Sequence, residues 1–302
     1  MDVEALRLEH YNATLTSVRH VNAGLAVLRV RPDAPKAAIE AGQWTFVGVG
    51  LWEPRCAGCP TDDLVPDEAS QLQRTVFSLS GSMVPAHEDR LFRDGEEDWY
   101  EFYVALDRTQ AAGKTGAAVA ARLFAMQPGS RLFVSDTPQG KNTLHGVQPH
   151  EDVIFLATGT GEAPHNRMIY ELLRREHRGR VASLVTVRHP GELAYRDEHR
   201  RLMQMFDRYR WHGVATRAAA RPGPRLQAML ESGALAEHLG VALDPKRCHV
   251  FLCGNSGMVG RPRIDAAGVK TYPQPPGMIE LLERRGFRAE PLASANVHFE
   301  RS

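Results

Sequence analysis

Apolar residues alternate with polar ones in short segments through the first half of the chain, and Gly and Pro residues separate these segments. Such a pattern is typical of strands joined by turns. It predicts strands over residues 12–18, 25–30, 44–50, 72–79, 100–106 and 131–135. An Ala-rich segment with apolar residues at helical spacing, residues 116–126, predicts one helix before the last strand. Several strands with a single helix favour an antiparallel barrel.

Strands and helices alternate in the second half of the chain. The pattern predicts strands over residues 153–157, 181–187, 213–216 and 249–253, and helices over residues 163–175, 193–206 and 226–239. This order is typical of βαβ units on a parallel sheet. A polar stretch, residues 140–152, separates the two patterns. We therefore expect a two-domain β + α/β protein, with a barrel over residues 1–148 and a doubly wound parallel-sheet domain over residues 149–302.

The composition agrees with a globular protein of two domains. The chain has 302 residues, of which 43% are apolar and 24% charged. Lys and Arg (37) nearly balance Asp and Glu (36), so the net charge of +1 does not favour a nucleic-acid-binding surface. The sequence has neither an apolar run of about 18 residues that could span a membrane nor a secretory signal pattern. With only four cysteines, we expect a reduced, cytoplasmic protein.

Two of the cysteines form a C-A-G-C motif, Cys56 and Cys59. A structural zinc site needs further ligands, and Cys248 and Cys253 are distant in sequence. We therefore predict a loop that carries two thiols, and no metal site.

The segment V-I-F-L-A-T-G-T-G-E-A-P is the strongest local motif. A buried strand leads into Thr158, Gly159, Thr160 and Gly161, and a helix begins near Pro164. Glycines allow a ligand to approach the backbone closely, and the helix N-terminus offers unpaired N–H groups, which suits a pyrophosphate. The alternative is a tight strand-to-helix turn without a ligand.

A second strand, in F-L-C-G-N-S-G-M, ends in a similar turn at Cys253 and Gly254. Ligands of open parallel sheets bind beyond the carboxyl ends of the strands, so the two turns could flank one crevice. The alternative for Cys253 is a buried structural thiol.

In the barrel half, the segment R-T-V-F-S-L-S, Arg74 to Ser80, places an aromatic ring beside a hydroxyl group. Phe77 could stack on a heteroaromatic ring and Ser78 could hydrogen-bond to it. The alternative is an ordinary edge strand.

Taken in order, these motifs and several others resemble one known layout. The segments are A-G-Q (41–43), F-S-L-S (77–80), E-F-Y-V (101–104), T-G-T-G-x-A-P (158–164), R-x-x-x-E-L-A-Y-R (188–196), L-x-A-M-L-E-S-G (226–233) and C-G-N-x-x-M-V (253–259). From about residue 12 to 300, the chain resembles the bacterial-type ferredoxin/flavodoxin–NADP reductases.

The resemblance implies a six-stranded antiparallel barrel that binds FAD, followed by a domain that binds NADP(H). Phe77 would cover one face of the isoalloxazine, Ser78 would lie near its N5, and Leu79 and Ser80 would contact it by backbone. Thr158, Gly159, Thr160 and Gly161 would line the dinucleotide path, with Cys253 and Gly254 beside the nicotinamide. Glu300 would match the acidic residue that assists flavin protonation or nicotinamide positioning. Ser78, Cys253 and Glu300 are thus the expected catalytic residues.

The implied activity is hydride transfer between NADPH and FAD N5, coupled to one-electron exchange with a ferredoxin or flavodoxin on a separate chain. The alternative is an NAD(P)H-dependent reductase component that delivers electrons to a separate oxygenase or haem protein. A non-catalytic flavin-binding module is less favoured, because such subunits carry a C-terminal cysteine cluster. We expect the carrier to be acidic and to dock on a basic surface.

Preference for NADP depends on cationic groups for its 2′-phosphate. Arg188 follows the second predicted strand of the parallel sheet, while Arg217 and Arg225 follow the third. The three together favour NADP over NAD.

The chain departs from the family pattern at several positions. Thr75 stands where an arginine for the FAD pyrophosphate is usual, and Arg74 is one residue too early, so that it could serve only with a bulge. Glu162 replaces an apolar residue, and we expect its carboxylate to point away from a bound pyrophosphate. Ser302 cannot stack on the flavin as the C-terminal aromatic of many relatives does, although Phe299 or His298 could substitute.

Overall fold

The computed structural model describes residues 2–61, 68–93, 95–108, 115–218, 223–289 and 294–300. The chain divides into two compact units, which are Met1–Gly81 with Phe92–Lys141, and Ser82–Leu91 with Asn142–Ser302. The change after Lys141 lies a few residues before the boundary predicted at residue 148. The short segment Ser82–Leu91 is an excursion of the chain that belongs to the second unit.

The first unit is a six-stranded antiparallel sheet in the order β4-β3-β6-β1-β2-β5. Its strands are β1 (Ala13–Asn22), β2 (Leu25–Pro32), β3 (Trp44–Gly50), β4 (Leu72–Ser78), β5 (Tyr100–Ala105) and β6 (Arg131–Val134). An isolated antiparallel bridge between Ser80, just after β4, and Glu101 of β5 links the two edge strands of this order. The sheet is therefore closed into a barrel, as predicted.

Two helices accompany the barrel, α1 (Val3–His10) and α2 (Thr115–Leu123). Helix α2 buries Val119 and Leu123 in the barrel core, together with inward residues such as Leu28 and Phe102. Its Ala-rich sequence allows this close packing, because small side chains let a helix approach a sheet.

The second unit is a five-stranded parallel sheet in the order β13-β10-β7-β8-β9. Its strands are β7 (Asp152–Thr158), β8 (Val181–Val187), β9 (Tyr209–Ala215), β10 (Cys248–Cys253) and β13 (Val297–Phe299). The helices are α3 (Glu162–Arg174), α4 (Arg196–Met205), α5 (Leu226–Ser232), α6 (Ala234–Leu239), α7 (Ser256–Val259) and α8 (Met278–Glu283). The doubly wound fold predicted from the alternating pattern is confirmed.

The two faces of this sheet differ in polarity. One face packs Ile154, Leu156 and Leu252 into an apolar core with residues of α5, α6 and α8. Intervening positions of the strands carry ring side chains, and Phe155 contacts both Phe251 and the His165 ring of α3. The alternation follows from the two-residue period of a strand.

A hairpin interrupts the connection between α7 and α8. Its strands are β11 (Arg263–Ile264) and β12 (Lys270–Thr271). At its base Gly260 and Gly277 are in contact, since a Cβ placed on Gly260 would lie 2.3 Å from the Gly277 Cα. The hairpin exposes two large apolar side chains, Ile264 and Val269.

The excursion Ser82–Leu91 is held by α4. The Met83 N–H donates to a Glu198 carboxylate oxygen at 3.0 Å, and the Arg201 guanidinium donates to the Pro85 carbonyl at 2.8 Å. Within the described ranges of the chain, no helix is long and apolar enough to cross a membrane.

Candidate functional site

Two strand-to-helix turns of the second unit are in direct contact. Strand β7 ends at Thr158, and a single 3₁₀ turn, Gly159–Gly161, leads into α3. The Thr158 hydroxyl accepts hydrogen bonds from the Asn255 backbone N–H at 2.8 Å and from its side-chain Nδ2 at 3.1 Å. Asn255 precedes α7 and follows β10. The two motifs predicted to flank one crevice are therefore brought together at the carboxyl edge of the sheet.

Glycine is required at two positions of this contact. A Cβ on Gly161 would lie 2.3 Å from the Cys253 carbonyl oxygen, and one on Gly254 would lie 2.0 Å from the Thr158 Oγ1. Gly254 also has a φ of 140°, which L side chains rarely adopt. Gly159 differs, because among the described residues no atom lies within 4 Å of its Cβ position. Gly159 thus borders open space.

The start of α3 has the properties of an anion site. Among the described residues, no side chain caps the 3₁₀ turn or the helix. The first backbone N–H groups of a helix lack partners within it, and they lie at the positive end of its dipole. An anionic group at this turn would accept hydrogen bonds from these N–H groups and would be attracted by the positive end of the dipole.

Glu162, the first residue of α3, is almost fully buried, with a side-chain exposure of 1%. Its Oε1 lies 2.9 Å from the His199 Nε2 and 3.4 Å from the Trp211 Nε1. The Tyr209 hydroxyl lies 2.7 Å from the other ring nitrogen of His199. A neutral imidazole can donate from Nε2 to Glu162 while its Nδ1 accepts from Tyr209, so all three polar groups are satisfied. The carboxylate is therefore held by α4 and β9.

This Glu162–His199–Tyr209 network was not predicted from the sequence. Its members lie on three elements, with Glu162 and His199 separated by 37 positions along the chain. A local signal was the replacement of an apolar residue by Glu162, which requires a polar partner if the side chain is buried.

Cys253 and Glu300, both expected catalytic residues, are also brought together. Strand β13 pairs with β10 in parallel, with Phe299 beside Leu252, so Glu300 continues next to Cys253. The Cys253 thiol donates to the Glu300 Oε2 at 3.2 Å. Burial, and then the Glu300 carboxylate, raise the pKa of Cys253 well above its ordinary value. Cys253 is therefore a neutral thiol that orients the carboxylate.

Two of the three arginines expected at the 2′-phosphate are joined through their backbones. The Arg217 N–H donates to the Arg188 carbonyl at 2.7 Å, where β8 and β9 end. The Arg188 side chain is 65% exposed and lies 3.5 Å from Glu192, and Arg217 is exposed. Arg225 is exposed and precedes α5.

In the first unit, Phe77 and Thr75 lie on the same face of β4, two residues apart. The Phe77 ring packs edge-on against Phe102, with ring centroids 6.1 Å apart. The Thr75 hydroxyl lies at the first turn of α2, 3.5 Å from the Cβ position of Gly116. This face therefore combines an aromatic ring, a hydroxyl and a helix N-terminus.

Leu79 and Ser80 use their backbone N–H groups within the barrel. The Leu79 N–H donates to the Gln43 carbonyl at 3.0 Å, and the Ser80 N–H donates to the Glu101 carbonyl at 2.9 Å. Both residues are buried, whereas Ser78 is half-buried beside them.

Arg74 lies on the opposite face of β4 from Phe77. The register of β3 and β4 is continuous from Trp44 opposite Ser78 to Gly50 opposite Leu72, so there is no bulge in this pair to turn Arg74 around. Its guanidinium stacks on Phe133, 4.1 Å from the ring centroid. The structure therefore does not bring Arg74 to the face of Phe77 and Thr75.

Sequence and fold comparison finds similar proteins among known oxidoreductases. Residues 155–262, in the second unit, match the family described as "Oxidoreductase NAD-binding domain". Ferredoxin–NADP reductase A of Sorangium cellulosum is 30% identical over 175 residues, which is 55% of this chain and 57% of that protein. Flavodoxin/ferredoxin–NADP reductase of Escherichia coli is 28% identical over 200 residues, which is 65% of this chain and 77% of that protein. The match thus spans little more than half the length of the first of these relatives.

A solved structure extends the likeness to both units. The crystal structure of a ferredoxin NADP⁺ reductase from Neisseria gonorrhoeae with bound FAD and NADP superimposes with a TM-score of 0.69, at 18% identity. The superposition covers 96% of this chain and 97% of that one. The barrel and the parallel sheet agree with the fold of that protein. The chain is therefore similar to the ferredoxin/flavodoxin–NADP reductases, in sequence over about half to two thirds of its length and in fold over both units.

Proposed function

We propose that the protein is an FAD-dependent oxidoreductase that transfers electrons between NADP(H) and a small one-electron carrier of the ferredoxin or flavodoxin type. The observation that carries this proposal is the pairing of Cys253 with Glu300 at the carboxyl edge that also bears the uncapped turn Gly159–Gly161. A redox cofactor site of this kind must chiefly position its reactants, and needs no strong nucleophile.

The residues of the second unit fit NADP(H). The uncapped start of α3 offers N–H groups to the pyrophosphate, and Gly159 leaves open space beside them. The exposed Arg188 and Arg217 stand at adjacent strand ends and would bind the 2′-phosphate. The hydrogen bond with His199 holds the Glu162 carboxylate away from the turn, so its negative charge does not compete with a bound pyrophosphate.

The face of β4 in the first unit fits FAD. Phe77 would cover the isoalloxazine and Ser78 would hydrogen-bond at its edge, while Thr75 and the first turn of α2 would meet the pyrophosphate. When bound, FAD supplies the exchange between a two-electron donor and a one-electron acceptor. In this proposal the family's arginine is replaced by a hydroxyl and backbone N–H groups.

Cys253 and Glu300 would position the nicotinamide. The Cys253 thiol stays protonated, so it places no negative charge beside the ring and fixes the Glu300 carboxylate by a hydrogen bond. Glu300 would accept a hydrogen bond from the carboxamide or hold a proton for the reduced cofactor. These are positioning roles, since neither side chain is required as a nucleophile.

The hairpin of β11 and β12 offers a basic surface for an acidic carrier. Arg261 and Arg263 are exposed on it, next to the exposed apolar Ile264 and Val269. Arg261 lies over the ring of Phe299, 6.0 Å from its centroid, and Phe299 precedes Glu300. The base of the hairpin is thus close to the carboxyl edge of the sheet, where complementary charge would steer an acidic partner.

An anaerobic titration with NADPH, and separately with NADH, tests the cofactor assignment by following the visible flavin bands. We expect rapid bleaching by NADPH and much slower bleaching by NADH. In the double variant Arg188→Ala, Arg217→Ala, the apparent affinity for NADPH should fall roughly tenfold or more while that for NADH is unchanged.

Arg210→Ala is the matched control, because Arg210 is an exposed arginine near the opposite end of β9. Equal bleaching by both nucleotides would overturn the NADP assignment and favour the reductase component of an oxygenase. A protein that binds no added FAD would overturn the proposed function as a whole.

A further inference from the structure

The C-A-G-C motif of the first unit forms a tight turn that none of the nucleotide sites uses. The Cys59 N–H lies 3.4 Å from the Cys56 carbonyl, and Gly58 has a φ of 76°. A positive φ at the third position of a four-residue turn is favourable for glycine. The two Cα atoms of such a turn are less than about 7 Å apart, which is within the range that a disulfide can bridge.

The two thiols face each other across this turn. Their Sγ atoms are 2.7 Å apart, and both cysteines are free. A disulfide bond joins sulfurs at about 2.05 Å, so a small rotation of the side chains would bring them to bonding distance. The motif is therefore preorganised for an internal disulfide.

The turn is anchored on one side and open on the other. The Cys56 N–H donates to the Ala121 carbonyl of α2 at 2.9 Å, and both cysteine side chains pack against the barrel core. Ala57 and Gly58 are exposed at the tip. Cys56 and Cys59 are themselves half-buried, so part of each residue is accessible to a small reagent.

A cation lies beside the pair. A Cβ on Gly58 would lie 3.9 Å from the Arg108 Nε, so the Arg108 side chain lies beside the turn. A nearby positive charge stabilises the thiolate that attacks in disulfide exchange.

The remaining two cysteines have different surroundings. Cys248 and Cys253 are buried in the second unit, where their thiols donate to the Ala242 carbonyl and to Glu300. Burial raises the pKa of Cys248 to about 11. Cys248 and Cys253 therefore serve as internal controls for any thiol reaction of Cys56 and Cys59.

We propose that Cys56 and Cys59 are a redox-active dithiol that exchanges with small disulfides and closes an internal disulfide. In the first step one of the two cysteines loses its proton to water, attacks one sulfur of the external disulfide, forms a mixed disulfide and releases one thiolate. The other cysteine then loses its proton to water and attacks the protein sulfur of the mixed disulfide, which expels the second thiolate. The two protein thiols are oxidised, and the external disulfide is reduced to two thiols.

Burial and the hydrogen bond with Cys59 raise the pKa of Cys56 to about 11, so raising the pH should speed the exchange.

Anaerobic equilibration of the holoprotein with mixtures of reduced and oxidised glutathione tests the proposal. After acid quenching and alkylation, peptide mass spectrometry should find a peptide spanning Cys56 and Cys59 that has lost two hydrogens as the mixture becomes more oxidising. Cys248 and Cys253 should remain alkylatable thiols throughout.

Single variants test the internal link. Cys56→Ser should accumulate glutathione on Cys59, and Cys59→Ser should accumulate it on Cys56, because no second thiol can resolve either adduct. Far-UV circular dichroism checks that both variants fold. Free thiols at the oxidising end, or glutathione adducts without an internal link in the unsubstituted protein, would overturn the proposal. Neither result depends on the proposed electron-transfer function.

Discussion

The two nucleotide sites that we propose for this protein differ in how they are built. In the second unit, Gly161 and Gly254 allow two turns to approach so closely that no Cβ fits between them. In the first unit, the proposed site consists of side chains that project from one face of β4, and Arg74 projects from the other face. A site made by backbone contact depends on the presence of glycine, whereas a site made by side chains depends on strand register.

The largest effect that this comparison predicts comes from Gly161→Ala. The added Cβ would collide with the Cys253 carbonyl and force the two turns apart. We expect a loss of about 3 kcal/mol in the free energy of unfolding of the second unit, together with loss of detectable NADPH binding. Chemical denaturation and NADPH titration measure these two quantities.

Gly159→Ala is the matched control for that substitution. Gly159 has a φ of 54°, but no described atom lies within 4 Å of its Cβ position. The cost should be about 1 kcal/mol, from backbone strain alone. Equal losses from both substitutions would contradict the view that contact between the turns builds the site.

The two units should also differ in their response to acid. His165 is fully buried, and burial lowers its pKa to about 3. Within the described part of the chain, neither of its ring nitrogens has a hydrogen-bond partner. Since the unfolded chain takes up a proton near pH 6.5 and the native state does not, the second unit loses stability as pH falls from about 6.5 towards 3. At pH 5 the loss should be about 2 kcal/mol.

In the first unit, the buried carboxylate of Glu53 behaves differently. Burial acts to raise its pKa, but the Arg7 guanidinium and the Tyr11 hydroxyl hold the pKa below its usual value. The stability from Glu53 is therefore lost only as pH falls below about 4.

Hydrogen exchange of peptides from each unit, measured between pH 7 and pH 4.5, should show earlier opening of the second unit. In His165→Phe, which keeps a ring against Phe155, this early acid response should shrink. An unchanged acid response in that variant would contradict the assignment to His165.

Thr75→Arg would bring the first site closer to the family pattern. The new guanidinium would project from the face of Phe77, near the first turn of α2. We expect the dissociation constant for FAD to fall about tenfold, through a charge-assisted bond to the pyrophosphate. Fluorescence titration of the apoprotein with FAD measures it.

Arg74→Ala is the control for Thr75→Arg, because the Arg74 guanidinium lies on Phe133 on the other face. Its effect on FAD affinity should stay within about twofold. If Arg74→Ala weakened FAD binding by as much as Thr75→Arg strengthened it, Arg74 would be a ligand of FAD. The strand register of β4 would then not determine which side chains form this site.

The smallest predicted effect concerns the hairpin. Arg263→Glu should raise the KM for an acidic carrier about threefold at low ionic strength and leave the rate with ferricyanide unchanged. Lys246→Glu makes the same change of charge near the amino end of β10. It should leave the KM for the carrier and the rate with ferricyanide unchanged. A matching rise in KM for Lys246→Glu would indicate a general effect of net charge, not docking on the hairpin.

Much of the fold could be predicted from the sequence because its strands have simple patterns. The predicted strands 44–50 and 181–187 coincide with β3 and β8. The predicted helix 226–239 was wrong as one element, since Gly233 adopts a φ of 84° and divides it into α5 and α6. Strand β9 begins at Tyr209, four residues before the predicted start. Polar residues within Tyr209–Ala215 obscure the alternation of apolar and polar positions that would have indicated the strand.

Some features of the candidate sites could be predicted from the sequence and others could not. The contact between the turns at Thr158 and Asn255 could be predicted, because parallel strands end at the same edge of the sheet. The network of Glu162 with His199 was not predictable, because it depends on how α3 and α4 pack, which no local pattern encodes. The roles assigned to Ser78, Cys253 and Glu300 stay predictions.

The glycine contact at the base of the hairpin has a consequence for the engineering of this chain. Since Gly260 and Gly277 already touch, residues 261–276 leave and re-enter the fold at almost the same point. A segment with such ends can be shortened or exchanged without a new span between α7 and α8, provided that the contacts of Lys270 and Tyr272 with Glu283 of α8 are kept. A different recognition segment could therefore be installed here while the sheet beneath it is preserved.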